Sequence, residues 1–390
     1  MSGRIVSLGC RLNIAESEAI GALLADAPPT VVVNSCAVTA EAVRQSRRAV
    51  RRLRREHPDA RLVVTGCAAT IEQAAFAAMA EVDVVVPNPD KLKPEVWSAT
   101  SAPSMSVLRG SHTRAFVPVQ NGCDHACTFC IIPQGRGTSV SLPTENVIEA
   151  IARHDGVNEV VLTGVDVTSW GADISGTPRL GDLVAAILKA FPALPRLRLS
   201  SLDGVEIDPL LFELITAEPR VMPHVHLSLQ SGNDMVLKRM KRRHLRKDAV
   251  ELVQQMKAAR PDIAIGADLI AGFPTETPEM HADNVSIVRE CAVVHGHVFP
   301  YSPRPGTPAA RMPQIDPVLV RERAAQVRAE VAAQREDWLQ SLLGTPAQVL
   351  AERDGTGHAG HFATYRVPQG TPVGSLVTVT PTKIVEGILE

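Results

Sequence analysis

The sequence predicts an α/β protein in three parts: an N-terminal parallel α/β domain, a partial, TIM-like (β/α) barrel and a small C-terminal all-β module. Three observations carry this. Three short β-branched runs near the start, IVSLGC, TVVVNSC and RLVVTGC, each end in a cysteine. From residue 114 to 335, six apolar runs alternate with helical stretches. From residue 345 the chain changes to short β-like runs broken by turns. Strand–helix alternation implies a parallel sheet, and closely spaced short strands imply a separate β module.

The elements follow in order. The β-branched runs ending at Cys10, Cys36 and Cys67 read as buried strands. Helical stretches at 14–25 and 39–56 connect them. In an open parallel sheet the carboxyl ends of the strands share one edge, where ligands bind. Three cysteines at three such ends can therefore converge. Residues 88–112, rich in Pro, Ser and Ala, read as a linker. AFVPVQ, EVVLTGVD, RLRLSS, HVHLSLQ, AIGADLIAGF and HGHVFPYS are the six barrel strands. Residues 318–343 form one long helix, and AQVLAE, FATYRV, SLVTVTP and EGILE are the final strands. The boundaries expected are 1–95, a linker at 96–112, 113–340 and 341–390.

Composition narrows the function. A chain of 390 residues with 45% hydrophobic and 21% charged residues is a folded globular protein of two or three domains. Only 3 Trp, 2 Tyr and 8 Phe leave an aliphatic core and argue against a platform of stacked aromatics for single-stranded nucleic acid. The net charge of −2 confines any contact with a polyanion to local patches. No apolar run is long enough to cross a membrane, and MSGRIVSLGCRLN has no apolar signal segment. A cytoplasmic location is expected. There, seven cysteines are ligands or catalysts rather than disulfides.

Cys123, Cys127 and Cys130 lie in NGCDHACTFCIIP with C-x3-C-x2-C spacing, beyond a strand. Three thiolates can hold three irons of a four-iron cubane and leave the fourth open. The alternative is zinc, which takes four closed ligands and would have to recruit His125. The motif is identified as that of the radical S-adenosylmethionine (SAM) enzymes. That resemblance implies that SAM binds the open iron and is cleaved to a 5′-deoxyadenosyl radical. It also implies SAM contacts from Thr163 and Gly164, Ser200 and Ser201, Gln230, Gly272 and the Arg242 guanidinium. Cys291 reads as core.

A radical SAM core accompanied by three N-terminal cysteines resembles the methylthiotransferases along the whole chain, with the last segment resembling a TRAM module. The resemblance implies that Cys10, Cys36 and Cys67 hold a second [4Fe-4S] cluster. One SAM would supply a methyl group and another the radical, because an adenine C–H bond is too weakly acidic for a general base and needs cofactor chemistry. NSCAVTAEAVRQSRRAVRR and HVFPYSPRPGTPAARMP are most similar to the branch acting at carbon 2 of N6-threonylcarbamoyladenosine at tRNA position 37. Isopentenyladenosine in tRNA and an aspartate of a ribosomal protein are the other substrates of the family. A reducing electron donor and a sulfur donor are implied partners. GCRLN and PQGRGTSVS depart from the family's usual GCKVN and Tyr-Ala-Arg-Gly-Arg runs.

Arg44, Arg47, Arg48, Arg51 and Arg52 lie on a helix whose Val43, Ser46, Val50 and Leu53 share the opposite face. With few acids nearby in sequence, they are candidates for tRNA phosphates. The C-terminal module is not basic: Arg353, Arg366 and Lys383 face Glu352, Asp354, Glu386 and Glu390. A noncatalytic RNA-binding or zinc module, or a different radical sulfur chemistry, are the rival readings; iron and sulfide content and product analysis separate them.

Overall fold

The computed structural model describes residues 4–25, 28–99, 113–154 and 156–390. Strands β1 (Arg4–Ser7), β2 (Thr30–Ser35), β3 (Arg61–Gly66) and β4 (Val84–Val85) form one sheet in that order, with every pair parallel. Helices α1 (Arg11–Leu23), α2 (Ala40–Glu56), α3 (Cys67–Ile71) and α4 (Gln73–Ala77) connect and cover it. Val31, Val32 and Val33 of β2 are buried on both faces, as a central parallel strand requires. In α2, Val43, Ser46, Ala49, Val50 and Leu53 are buried, and the Thr39 hydroxyl caps the Ala42 N–H. The face expected from the helical wheel is the face that packs.

Residues 88–99 are not all linker. Lys91 and Trp97 are 1% exposed. Trp97 packs with Ile20, Leu24, Val32 and Val86, and its indole N–H donates to the Lys91 carbonyl at 2.8 Å. A Pro/Ser-rich composition predicts weak packing, but one large side chain anchors the segment. Residues 100–112 of the expected linker lie outside the described residues.

The middle segment is an arc of parallel strands. It comprises β5 (Ala115–Pro118), a small hairpin of β6 (Gln120–Asn121) and β7 (Val140–Ser141), then β8 (Glu159–Thr163), β9 (Arg196–Leu199), β10 (Ser201–Leu202), β11 (His224–Gln230), β12 (Ala264–Ala271) and β13 (Val293–Pro300). The pairing runs β5-β8-β9 and β10-β11-β12-β13, with an isolated Leu197–Val221 bridge tying β9 to the residues just before β11. All six expected runs are strands. Helices α5 (Ile132–Arg136), α6 (Thr144–Ala152), α7 (Leu180–Ala190), α8 (Pro209–Ala217), α9 (Asp234–Met240), α10 (Arg246–Ala259), α11 (Pro278–Glu290) and α12 (Pro317–Ser341) accompany them. Val225, Leu227, Ile265, Ala267 and Leu269 pack with helix residues in the main core. Strand alternation then turns His224, His226, Asp268, His295 and His297 to the concave side. Cys291 is fully buried in that core.

The arc is open between β5 and β13, and the N-terminal unit spans the gap. Helix α1 packs on β5. Past β13, the Ser302 hydroxyl accepts from the Ala40 N–H at 3.2 Å, and Arg304 pairs with Glu72 at 3.5 Å. The C-terminal sheet, β14 (Ala347–Ala351), β15 (Thr356–Ala359), β16 (Thr364–Arg366), β17 (Leu376–Val379), β18 (Ile384–Val385) and β19 (Ile388–Leu389), closes the floor at the amino ends of the strands. Its Phe362 stacks on His224 and lies under Arg11, Arg114 and Arg198.

Glu159 holds this floor together. Arg114, Arg198 and Arg196 lie 2.7, 2.9 and 3.5 Å from its carboxylate, and Arg114 reaches on to Glu352 at 2.5 Å. Arg198 also donates to the Gly360 carbonyl at 2.9 Å. Burial pushes the Glu159 pKa up, but Arg198, Arg114 and Arg196 together outweigh it and hold it at about 2. A depressed carboxylate stabilises the fold at neutral pH and loses that contribution as pH falls from the ordinary glutamate range through about 2. Glu159→Ala leaves the buried Arg196 and Arg198 guanidiniums without a carboxylate, so it should cost about 3–5 kcal/mol, read as a lowered denaturation midpoint of the full chain. An unchanged midpoint would refute this role.

Candidate active site: two cysteine trios

The first trio sits where the sheet places it. Cys10 caps the start of α1, Cys36 follows β2, and Cys67 opens α3 directly after β3. Gly9 adopts φ +95, and a Cβ there would lie 2.8 Å from the Cys36 sulfur. Only glycine allows that turn to bring Cys10 beside Cys36. Burial pushes the Cys36 thiol up to about 11, and Cys67 and Cys10 are close enough to add to the shift. Cys10 is exposed, while Cys36 and Cys67 are buried.

The second trio lies in the loop between β6 and α5. The Cys130 N–H donates to the Cys127 carbonyl at 3.2 Å. Burial lifts Cys123 to about 12, with the Asp166 carboxylate 3.8 Å from its sulfur contributing, and lifts Cys130 to about 11. Cys123 and Cys130 are thus protonated near neutrality, and binding a metal through them must release protons. His125 is engaged by two carboxylates beside the trio. Its Nε2 lies 2.8 Å from Asp166, and hydrogen bonds to Asp166 and Glu206 raise it to about 10.

One residue joins the trios. Arg136 ends α5, and its Nε donates to the Cys67 sulfur at 3.2 Å. Its other nitrogens grip Glu16 at 2.6 and 3.0 Å and Asn121 at 3.1 Å, and also bond Asn13. Glu16 in turn holds buried Lys91 at 2.6 Å. Cys67 lies near enough to Cys130 to bias its ionisation. Two sets of three cysteines, each with its sulfurs drawn together by the fold, match the donor set of two [4Fe-4S] clusters that each keep one iron open.

Beside the second trio is a polar chamber. Arg242 lies 3.7 Å from the Cys127 sulfur and 2.9 Å from Asp203. Arg243 pairs with Asp203 and Glu206 at 3.1 and 2.8 Å. Among the described residues, Ser200 Oγ, Asp203 Oδ1, Glu206 Oε2 and Arg242 Nε are buried without a hydrogen-bond partner. Four orphaned polar atoms next to a cysteine trio suit a ligand that carries amino, carboxylate and hydroxyl groups, as SAM does.

The expected SAM residues divide. Ser200 and Arg242 line this chamber; Ser201 follows at the start of β10 and is exposed. Thr163 is buried at the end of β8, and Gln230 ends β11 with φ +64. Gly164 and Gly272 are also required by packing within the protein. A Cβ on Gly164 would lie 2.7 Å from the Gln120 carbonyl oxygen, and one on Gly272 would lie 2.8 Å from Val320 of α12. Sequence patterns alone miss Arg136, Asn13, Glu16, Gln120, Asp166, Asp203 and Glu206. Their roles depend on contacts between distant segments, which no local spacing reveals.

The arginine helix is not free of acids. Acids are few nearby in sequence, but every expected arginine has one within reach. Arg44 and Arg48 pair with Glu41 at 2.6 and 3.4 Å, and Arg47 with Glu72 at 2.7 Å. Arg51 pairs with Glu81 at 3.8 Å and Arg52 with Glu56 at 3.7 Å. Glu72 and Glu81 come from a neighbouring part of the fold.

Known proteins agree with this architecture. Residues 117–285 match the radical SAM superfamily, and residues 3–87 match the uncharacterized protein family UPF0004. The chain is 41% identical to the threonylcarbamoyladenosine tRNA methylthiotransferase MtaB of Rickettsia prowazekii, over 99% of this chain and 96% of that one. It belongs to the radical SAM methylthiotransferases. The corresponding MtaB of Bacillus subtilis is 32% identical over 89% of this chain and 85% of its own. A tRNA-2-methylthio-N(6)-dimethylallyladenosine synthase of Novosphingobium aromaticivorans is 33% identical over 92% and 88%. In fold, the chain is similar to the radical SAM methyltransferase TsrM of Kitasatospora setae, solved with cobalamin and a [4Fe-4S] cluster (TM-score 0.53, 16% identity, 77% of this chain and 68% of that one). Members of the family use SAM and two [4Fe-4S] clusters. Among the described residues, no helix is long and apolar enough to cross a membrane.

If Cys67 ligates a cluster, its bond to the buried Arg136 guanidinium would favour the reduced, more negative state. In a chain with Cys123, Cys127 and Cys130 replaced by Ala, so that one cluster is held, Arg136→Gln should lower the midpoint potential in an EPR-monitored titration. A potential that stays put would show that Arg136 only ties the units together.

Proposed function

We propose that this chain inserts sulfur and a methyl group at carbon 2 of N6-threonylcarbamoyladenosine at tRNA position 37. The observation that carries the reading is the pair of cysteine trios held side by side at one end of the barrel, linked through Arg136. Relatives bearing this activity in their names span nearly the whole chain. When bound, SAM and the cluster on Cys123, Cys127 and Cys130 supply the 5′-deoxyadenosyl radical that breaks an unactivated C–H bond. Cys10, Cys36 and Cys67 hold the cluster at which sulfur is delivered. Arg242, Asp203 and Ser200 orient SAM, and Arg136 fixes the first trio against the second. Dimethylallyladenosine is the alternative substrate, since relatives named for it align at lower identity. A reducing electron donor, a sulfur donor and a cytoplasmic setting belong to the same reading.

Cys127→Ala should abolish 5′-deoxyadenosine formation in anaerobically reconstituted protein. Cys36→Ala should retain it and yield no methylthio nucleoside by mass spectrometry. Methylthio product from the Cys36 variant would sink the role given to the first trio.

The α2 arginines are proposed as phosphate contacts. Their ion pairs are exposed and worth at most about 1 kcal/mol each, so phosphates can displace the carboxylates. Replacing Arg44, Arg48 and Arg51 by Glu should weaken tRNA binding and flatten its salt dependence. Binding as tight and as salt-sensitive as in the unaltered chain would leave the helix a solvated face.

A further inference from the structure

Away from the cofactor chamber, the concave wall carries a second polar group. His226 of β11, Asp268 of β12 and His297 of β13 stand side by side on three adjacent strands. Asp268 pairs directly with His297 in the strand register. Its Oδ1 lies 3.0 Å from His226 Nε2 and 3.1 Å from His297 Nδ1. The two imidazole rings are 4.6 Å apart. Nothing in the handling of SAM or of either cysteine trio uses these residues.

Their surroundings differ above and below. One strand step toward the cysteines, Ile270 and Phe299 pack in a cluster that includes Phe129, the residue before Cys130. One step toward the floor, His224 and His295 pack against Phe362. Burial lowers His224 well below the ordinary histidine value and lowers His295 to about 3, so both are neutral and the floor is closed. The His–Asp–His group is therefore the polar level of the wall between an apolar rim and a sealed base. It is also accessible: the His297 side chain is 65% exposed and its Nε2 is uncommitted. His297 stands on the strand at the gap that the N-terminal unit spans.

We propose that His226, Asp268 and His297 form the subsite for the polar substituent on N6 of the substrate adenine, with His297 as the specificity-determining residue. The inference rests on the function proposed above and deepens it. A threonylcarbamoyl group carries a carboxylate, a hydroxyl and a urea, whereas a dimethylallyl group is hydrocarbon. Asp268 accepts from one nitrogen of His297 and so fixes the ring with its other nitrogen facing the open space. In the neutral ring that nitrogen is an acceptor, and it takes a hydrogen bond from the hydroxyl or a urea N–H of the substituent. The apolar alternative would have to desolvate the imidazole and carboxylate without replacing their hydrogen bonds, and sites built this way reject the analogue that lacks the polar group.

The test uses full-length reconstituted protein and two tRNAs, one with threonylcarbamoyladenosine and one with dimethylallyladenosine at position 37. His297→Leu should reduce kcat/KM on the first by ~10-fold, the loss expected when one hydrogen bond is removed and its partner is left unpaired. 5′-Deoxyadenosine formation without tRNA should stay at the level of the unaltered chain, and His297→Gln should recover part of the loss. In the unaltered protein, the imidazole signals of His297 should move when an anticodon stem-loop with threonylcarbamoyladenosine is added and stay still with unmodified adenosine. If the unaltered chain methylthiolates threonylcarbamoyladenosine and His297→Leu does so with equal kcat/KM, the subsite is overturned while the function stands. If the unaltered chain acts on dimethylallyladenosine alone, the function falls and the subsite with it.

Discussion

The buried ion network around Arg136 is the interaction on which the active-site architecture depends. Arg136 belongs to the barrel segment, yet its guanidinium is spent on Cys67, Glu16 and Asn13 of the N-terminal unit. Lys91 brings a second buried cation onto the same Glu16 carboxylate. A buried arginine with its carboxylate removed would be strongly destabilising, so the two units are held in one arrangement. That arrangement sets the distance between the cysteine trios. Five residues of chain separate Cys130 from Arg136, so the loop that carries the second trio is tethered to the first.

The rest of the barrel can be understood as a chamber closed around that pair. The C-terminal module seals the floor with Phe362, under guanidiniums from α1, from the residue before β5 and from β9. Glu159 neutralises this crowd of arginines from within. Reaction chemistry based on radicals needs water and side reactants excluded, and a sealed floor leaves approach through the cysteine end and the open side. Within the chamber, the acids and arginines near Cys127 lie on one part of the wall. The His–Asp–His group lies on another, nearer the gap. A basic C-terminal surface is not required of this module: Arg366 and Lys383 both pair with Glu390, and its main contribution is to the floor.

The α2 helix shows how tertiary contacts alter a charge argument. Its apolar face is legible in the sequence, because the 3.6-residue period places Val43, Val50 and Leu53 together. Whether its arginines are free depends on which acids the fold brings alongside, and Glu72 and Glu81 arrive from beyond β3. The same distinction applies to the glycines. Gly164 and Gly272 stand where cofactor contacts were expected, but Gln120 and Val320 crowd the space a side chain would need. Trp97 makes the converse point, since one buried indole anchors a segment whose composition reads as a linker.

The sequence by itself determined the strand–helix alternation, the cysteines at strand ends, the C-x3-C-x2-C loop and the six barrel strands. Each is a local pattern: a β-branched run, a spacing, a change of period. Local patterns are set by backbone sterics and by which face must be buried, and both can be read along the chain. Tertiary structure alone decided that Arg136 bonds Cys67, that Glu159 gathers three arginines, that the C-terminal module seals the floor and that His226, Asp268 and His297 meet. These residues come from segments far apart in sequence. Their chemistry arises from desolvation and charge pairing on contact, and neither exists until the chain has folded.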